Sequence, residues 1–269
     1  MNALTRRDLF LLACVTALAF GLRLYRLDSL PPGLHHDEAL NGIEARELLT
    51  TGARPIYIGS GFNGEPLLEY SMMVSEAVFG VTPFAVRLPS ALVGALTIPI
   101  VFMLVRVIGS WRVDVRHWNG AHAPTSTFHL PPSSFQPLIS SVILATLYWH
   151  LNASREGYKP VLLPLFGALA FYFLFSTFSS STVRRLPSAV ACGLVLGLGF
   201  YTYPSIRFLY PVVALLVVFV MWRDRARAKT YFVHALLMAV IALLVFAPLG
   251  VYYWQHPGAF FTRSDQVSV

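Results

Sequence analysis

AVRLPSALVGALTIPIVFMLVRVI, residues 85–108, contains no acidic residue and no lysine, and its apolar side chains follow one another without the every-second-residue alternation of a half-buried strand. As an α-helix rising about 1.5 Å per residue it reaches across a hydrocarbon core about 30 Å thick. Six further apolar runs lie at 8–26, 137–151, 160–179, 187–203, 206–222 and 231–254. Spanning segments need roughly 17–25 residues, and the shorter runs make up the distance by tilt or local thinning of the bilayer. Lipid leaves no backbone hydrogen bond unmade, and the runs lack the pattern of a membrane barrel. The expected fold is all-α: a polytopic integral membrane protein of about seven transmembrane helices with a long first extracytoplasmic loop carrying surface helices.

Composition agrees, since 56% of residues are hydrophobic and only 12% charged, about half the charged share of a soluble domain. The basic residues set the orientation. Arg6 and Arg7 precede the first run, Arg112 and Arg116 follow the second, Arg184 and Arg185 follow the fourth, and Arg223, Arg225, Arg227 and Lys229 follow the sixth. All fall on one side if the N-terminus is cytoplasmic. The net charge of +7 therefore reports topology and gives no support to nucleic-acid binding. Thr5–Leu12 (TRRDLFLL) resembles a twin-arginine export signal, but no small-residue cleavage site follows, so an uncleaved first helix is expected. Cys14 and Cys192 fall inside expected spans and imply no disulfide. The Pro- and Ser-containing segment 119–136 reads as a cytoplasmic loop.

In this topology residues 27–84 form the outer loop, which holds eight of the chain's thirteen acidic residues. After the turn Pro31-Pro32-Gly33, residues 38–49 have helical composition, and 65–79 place Glu65, Glu69 and Glu76 at helical spacing opposite Leu68, Met72 and Phe79. Both read as helices along the membrane surface. Local sequence makes Asp37 a helix N-cap as readily as a catalytic group. Glu44, Glu47, Glu69 and Glu76 read as solvated faces. His35-His36-Asp37-Glu38 lacks the spacing of a metal site.

Several short motifs resemble bacterial membrane glycosyltransferases of the GT-C superfamily, close to the dolichyl-phosphate-mannose protein mannosyltransferase and aminoarabinose transferase group. They are Arg23-Leu24-Tyr25-Arg26-Leu27, Leu30-Pro31-Pro32-Gly33-Leu34, Asp37-Glu38-Ala39 with Ala45, Gly64-Glu65-Pro66-Leu67, Phe79-Gly80 and Arg87-Leu88-Pro89-Ser90-Ala91. Ser154-Arg155, Tyr201-Thr202-Tyr203-Pro204 with Arg207, and His256-Pro257 with Phe260 and Arg263 continue the likeness. The resemblance implies that residues 1–269 are the N-terminal transmembrane portion of a GT-C-like enzyme, with 27–84 its extracytoplasmic catalytic loop, since relatives of this kind usually run longer.

It further implies inverting transfer of a sugar from a polyprenyl-phosphate donor to a lipid, glycan or protein acceptor hydroxyl, on the outer face of the cell membrane. Asp37 would be the general base and Glu38 would orient the acceptor or Asp37. Arg207, Arg155 and Arg263 would bind the donor phosphate, and Tyr201, Tyr203 and Glu65 would line the substrate groove. No cofactor is called for, and a divalent metal is left open. The residue types suit this chemistry: a carboxylate can take the acceptor's proton, and a guanidinium offers a fork of donors to phosphate oxygens. The three arginines also fit snorkelling from helix ends, and the tyrosines an interfacial belt. A transporter or flippase, or a non-catalytic membrane subunit, is the alternative. Transporters keep essential ionisable groups near the midplane, whereas this chain gathers its acids in one outer loop.

If the topology is correct, a cysteine introduced as Asn63→Cys reacts with an impermeant maleimide from outside intact cells. Labelling from the cytoplasmic side alone would reverse the orientation.

Overall fold

The computed structural model describes residues 4–58, 64–110, 135–179 and 182–261. Among them the chain is helical throughout: α1 (Arg6–Leu24), α2 (His36–Thr51), α3 (Leu67–Phe79), α4 (Pro83–Ser110), α5 (Phe135–Thr146), α6 (Tyr148–Arg155), α7 (Leu162–Ser179), α8 (Thr182–Gly199), α9 (Leu209–Arg223) and α10 (Ala228–Gln255). Arg112, Arg116, Arg263 and most of the expected loop 119–136 lie outside the described residues. Four segments, Pro83–Ser110, Lys159–Ser179, Pro204–Arg223 and Arg225–Gln255, have the length and apolarity to cross a membrane. Phe135–Thr146 and Arg185–Gly199 are apolar but shorter.

The helix α4 is the centre of one half of the bundle, packing against α1, α3, α5, α6 and α7. Its buried side is made of small residues, Ala91, Gly94 and Ala95, followed by Ile98 and Phe102, so neighbours approach closely where the helix leaves the polar end. In the other half α8 packs against α7 and α10, around a core that includes Leu174, Phe178, Cys192, Leu196 and Met238. Leu215, Val218, Leu243 and Leu244 of α9 and α10 face outward, as side chains bathed in lipid do.

The contact between α8 and α10 has a specific cause. A Cβ on Gly193 would lie 2.8 Å from the Met238 carbonyl oxygen, and one on Gly197 would lie 2.8 Å from that of Ala242. The four-residue spacing of these glycines puts both on one face and lets the two backbones touch, which is how helices associate in lipid without a hydrophobic driving force.

The expected third span, 137–151, is broken in two. Leu147 leaves the helical region at φ −61°, ψ 120°, separating α5 from the short α6. Arg23, wholly buried at the end of α1, donates from Nη1 to the Ala145 carbonyl at 3.2 Å and from Nη2 to His150 Nδ1 at 2.7 Å. A carbonyl beside the break is thus satisfied by a side chain from another helix, the usual way irregular backbone is tolerated at membrane depth.

The charged groups divide between the two ends. Asp8 at the start of α1 pairs with Arg106 near the end of α4 at 3.7 Å, and Asp224 at the end of α9 accepts from Arg227 and from the Tyr231 hydroxyl at 2.9 Å. At the opposite end lie α2, α3, the first turn of α4, the end of α6 and the segment Pro204–Phe208, a 3-10 helix.

Substituting Gly193 or Gly197 by Val should force α8 from α10 and cost about 1–3 kcal/mol, read as a lowered Tm in detergent. Gly167→Ala on α7, where a Cβ meets nothing within 4 Å, should not lower Tm, since alanine favours a helix over glycine.

Candidate functional site

The turn joining α1 to α2 has no regular structure to hold it, and two arginines do so instead. Arg155, at the end of α6, donates from Nη1 to the carbonyls of Leu22 (2.5 Å) and Arg23 (3.1 Å), and from Nη2 to those of Tyr25 (2.7 Å) and Leu30 (2.9 Å). Arg87, in the first turns of α4, donates from Nη1 to the Leu27 carbonyl at 3.1 Å and from Nη2 to that of Gly33. The terminal nitrogens of Arg155, expected to bind the donor phosphate, are taken up here by main-chain carbonyls that have no other secondary structure to satisfy them.

Arg87 also closes the start of α2. Its Nε lies 2.6 Å from Glu38 Oε1 and its Nη2 lies 3.2 Å from Oε2, with both side chains 1% exposed. Glu38 Oε1 accepts further from the Gly157 N–H at 3.1 Å and Oε2 from the His35 N–H at 3.0 Å, while Asn41 Nδ2 donates to the Gly157 carbonyl at 2.8 Å. Gly157 is required here because a Cβ would lie 2.8 Å from Met72 Cε and 3.2 Å from Glu38 Cγ. Three parts of the chain, the start of α2, α4 and the segment after α6, therefore meet on one carboxylate. Glu38, expected to orient the acceptor or Asp37, is enclosed and fully engaged in this junction.

The N-cap of α2 is His35, whose Nδ1 accepts from the Asp37 N–H at 3.4 Å, so Asp37 is not the cap. Asp37 sits in the first turn, where the helix dipole favours negative charge. Its side chain is 45% exposed and its carboxylate lies 3.4 Å from His36 Nδ1. One of two adjacent acids is thus locked in the scaffold and the other is presented at the surface.

Glu44, Glu69 and Glu76, expected on solvated faces, are buried at 3%, 0% and 2% exposure. Helix α3 turns Glu69 and Glu76 inward beside Leu68 and Met72 and leaves Val74, Val78 and Phe79 outside, the reverse of a helix facing water and the arrangement suited to hydrocarbon. Glu69 pairs with Lys159. Burial pushes its carboxyl up to about 7, against the opposing pull of Lys159. Burial also raises Glu76, with Arg46 opposing.

A second cluster gathers residues far apart in sequence. Glu65, 2% exposed, accepts on Oε1 from the Tyr253 hydroxyl at 3.0 Å and from Arg207 Nη2 at 3.2 Å. Arg207 donates from Nη1 to the Phe260 carbonyl at 2.7 Å, from Nη2 to the Tyr253 hydroxyl at 3.3 Å, and stacks 3.9 Å from the Phe260 ring centre. Tyr57 stacks on Tyr252 at 5.0 Å and meets Tyr253 edge-on at 5.8 Å. The Tyr201 carbonyl accepts from the Leu67 N–H at 3.0 Å, its hydroxyl donates to the Val245 carbonyl at 2.9 Å, and Tyr203 caps the segment carrying Arg207.

Sequence reasoning had named Glu65, Arg207, Tyr201 and Tyr203, which the fold brings to one region. It missed Lys159, Tyr253 and the structural use of Arg87 and Gly157. Lys159, one of only two lysines, beside an apolar run and on the same side as the acids, was the available signal. Among the described residues no group of three or more His, Cys, Asp or Glu side chains is placed to hold a metal ion.

No protein-family model matches the chain. It is similar to undecaprenyl phosphate-alpha-4-amino-4-deoxy-L-arabinose arabinosyl transferases 1 and 2 of Pseudomonas fluorescens. Transferase 1 is 28% identical over 236 residues, covering 86% of this chain and 38% of that relative, and transferase 2 is 27% identical over 230 residues, covering 83% and 35%. Among solved structures it is similar to the Saccharomyces cerevisiae protein O-mannosyltransferase Pmt1-Pmt2 complex bound to the sugar donor (TM-score 0.67, 20% identity, 96% of this chain and 35% of that chain). ArnT from Cupriavidus metallidurans bound to undecaprenyl phosphate gives a TM-score of 0.66 at 19% identity, over 96% of this chain and 44% of that chain. The fold is shared with these proteins, and the resemblance to the GT-C group read from the motifs stands. The chain spans little more than a third of the length of the curated relatives it matches.

A carboxyl whose folded pKa is raised favours the protonated folded state, so its stabilising contribution is full below its unfolded pKa and lost as pH rises through the folded one. Glu69 should therefore make the protein less stable as pH rises from about 4.5 to about 7. Glu69→Gln should flatten that part of the Tm profile measured across pH.

Proposed function

We propose that the chain transfers a sugar from a polyprenyl-phosphate donor to an acceptor hydroxyl at the extracytoplasmic face of the cell membrane, with inversion. The observation that carries this reading is the pairing of Asp37 with its scaffold. A half-exposed carboxylate stands at the start of α2, and the backbone beneath it is fixed by Arg87, Glu38, Gly157 and Arg155. The names of the similar proteins, arabinosyl transferases and a mannosyltransferase, support the same reaction class.

Asp37 takes the acceptor hydroxyl's proton as its oxygen attacks the anomeric carbon, and the bond from that carbon to the phosphate oxygen breaks. Charge then develops on the leaving phosphate, where a guanidinium stabilises it. Arg207 serves here. A guanidinium has five N–H donors, and among the described residues three bonds, to Phe260, Glu65 and Tyr253, engage Nη1 and Nη2, so that Nε–H and one Nη1–H serve the phosphate. Tyr201 and Tyr203 line the groove, with Glu65 beside them. Glu38 acts through Asp37 by holding the first turn of α2, and the acceptor is a lipid, glycan or protein hydroxyl.

Asp37→Asn should leave donor binding and expression intact and lower transfer by at least about 100-fold, the scale of lost general-base catalysis. Arg207→Ala should weaken binding of polyprenyl phosphate about tenfold or more, and Arg207→Lys should restore it only in part because the fork is lost. Transfer of radiolabelled sugar in membranes and lipid binding in nanodiscs read the two effects. Full transfer by Asp37→Asn would remove the catalytic assignment.

A further inference from the structure

The Glu65 carboxylate is half employed. Oε1 receives Tyr253 and Arg207, whereas Oε2 is buried and has no hydrogen-bond partner among the described residues. A charged oxygen removed from water without a partner is strongly unfavourable, and such an atom inside an ordered cluster points to a group that arrives from outside. The surroundings narrow what that group is. Arg207 already supplies the counter-charge, so a second cation would be repelled by it, and a neutral O–H donor satisfies Oε2 without that cost. The rings around the carboxylate are aromatic: Tyr253 meets Phe260 edge-on at 5.3 Å and Tyr57 lies between Gly64 and the Tyr252 ring. Apolar ring faces with a few convergent polar atoms form the usual lining of a small-molecule site.

We propose that Glu65 is a specificity residue whose Oε2 accepts a hydrogen bond from a hydroxyl of the donor sugar, while Oε1 keeps Arg207 and Tyr253 in place. This rests on the reading of the region as a lipid-linked sugar site. It goes further by assigning phosphate and sugar to different members of one cluster: Arg207 takes the phosphate and Glu65 the sugar. A site built to accept a hydroxyl rejects the analogue lacking it, because its own polar atom is then left unpaired.

The test measures binding of the full chain in lipid nanodiscs to undecaprenyl phosphate, to its mannosyl conjugate, and to the single-deoxy forms of that conjugate. In the parent protein one deoxy form should bind about tenfold or more weakly than the intact conjugate, the scale of a hydrogen bond to a charged group. In Glu65→Gln, whose amide oxygen can still accept from Arg207 and Tyr253, and in Glu65→Asp as a second variant, that difference should shrink several-fold, by more than any weakening of undecaprenyl phosphate binding. Equal binding of all deoxy forms by the parent, or an undiminished difference in the variants, would overturn the proposal and leave Oε2 to a buried water. Loss of undecaprenyl phosphate binding in both variants would also overturn it, reducing Glu65 to a support for Arg207. A parent that binds neither undecaprenyl phosphate nor any conjugate would instead sink the reading of the site as a whole.

Discussion

The ion pair between Glu38 and Arg87 is the point on which the polar end of this molecule depends. Neither side chain reaches solvent, and each is satisfied beyond the pair: Arg87 by the carbonyls of Leu27 and Gly33, Glu38 by the N–H groups of His35 and Gly157. A buried pair contributes little net stability compared with well-packed apolar residues, but removing one partner leaves the other charge stranded and costs about 3–5 kcal/mol. Its value here is positional, since α1, α2, α4 and the segment after α6 converge on it and reach it from widely separated parts of the chain.

Two further arginines use their forks on the main chain in the same way. Arg155 gathers four carbonyls from the last turn of α1 and the turn after it, and Arg23 reaches the carbonyl beside the break between α5 and α6. A bilayer excludes irregular backbone unless its polar groups are paired inside the protein. Guanidinium groups, each with five donors, let the chain depart from helix where α1 leads into α2 and where α5 gives way to α6. Asp37 is then carried on a turn whose backbone has few ways to move.

Four acids of residues 27–84 show three settings. Glu38 and Glu69 meet cations in the interior, Glu65 shares Arg207 with a tyrosine, and Asp37 remains open to solvent. Burying so many carboxylates leaves the outward face of α3 to Val74, Val78 and Phe79. The helix can then rest against lipid with its charges turned toward the protein.

The sequence by itself determined the helical membrane architecture, because apolar runs of spanning length have no other stable form in lipid, and the basic clusters determined the expected orientation. It also picked out Asp37, Glu65 and Arg207 through motifs whose order along the chain is distinctive. It left open which of two adjacent acids is buried, since Asp37 and Glu38 are equal in local composition and only Arg87, forty-nine residues on from Glu38, tells them apart. The inward turn of α3 was equally hidden: helical spacing places Glu69 and Glu76 near one side, but which side faces the core depends on Lys159 and on lipid replacing water outside. The break at Leu147 depends on Arg23, more than a hundred residues earlier. Periodicity and charge are local properties that a chain carries openly, whereas the partner of a buried charge is fixed by which helices touch, and tertiary structure alone decides that.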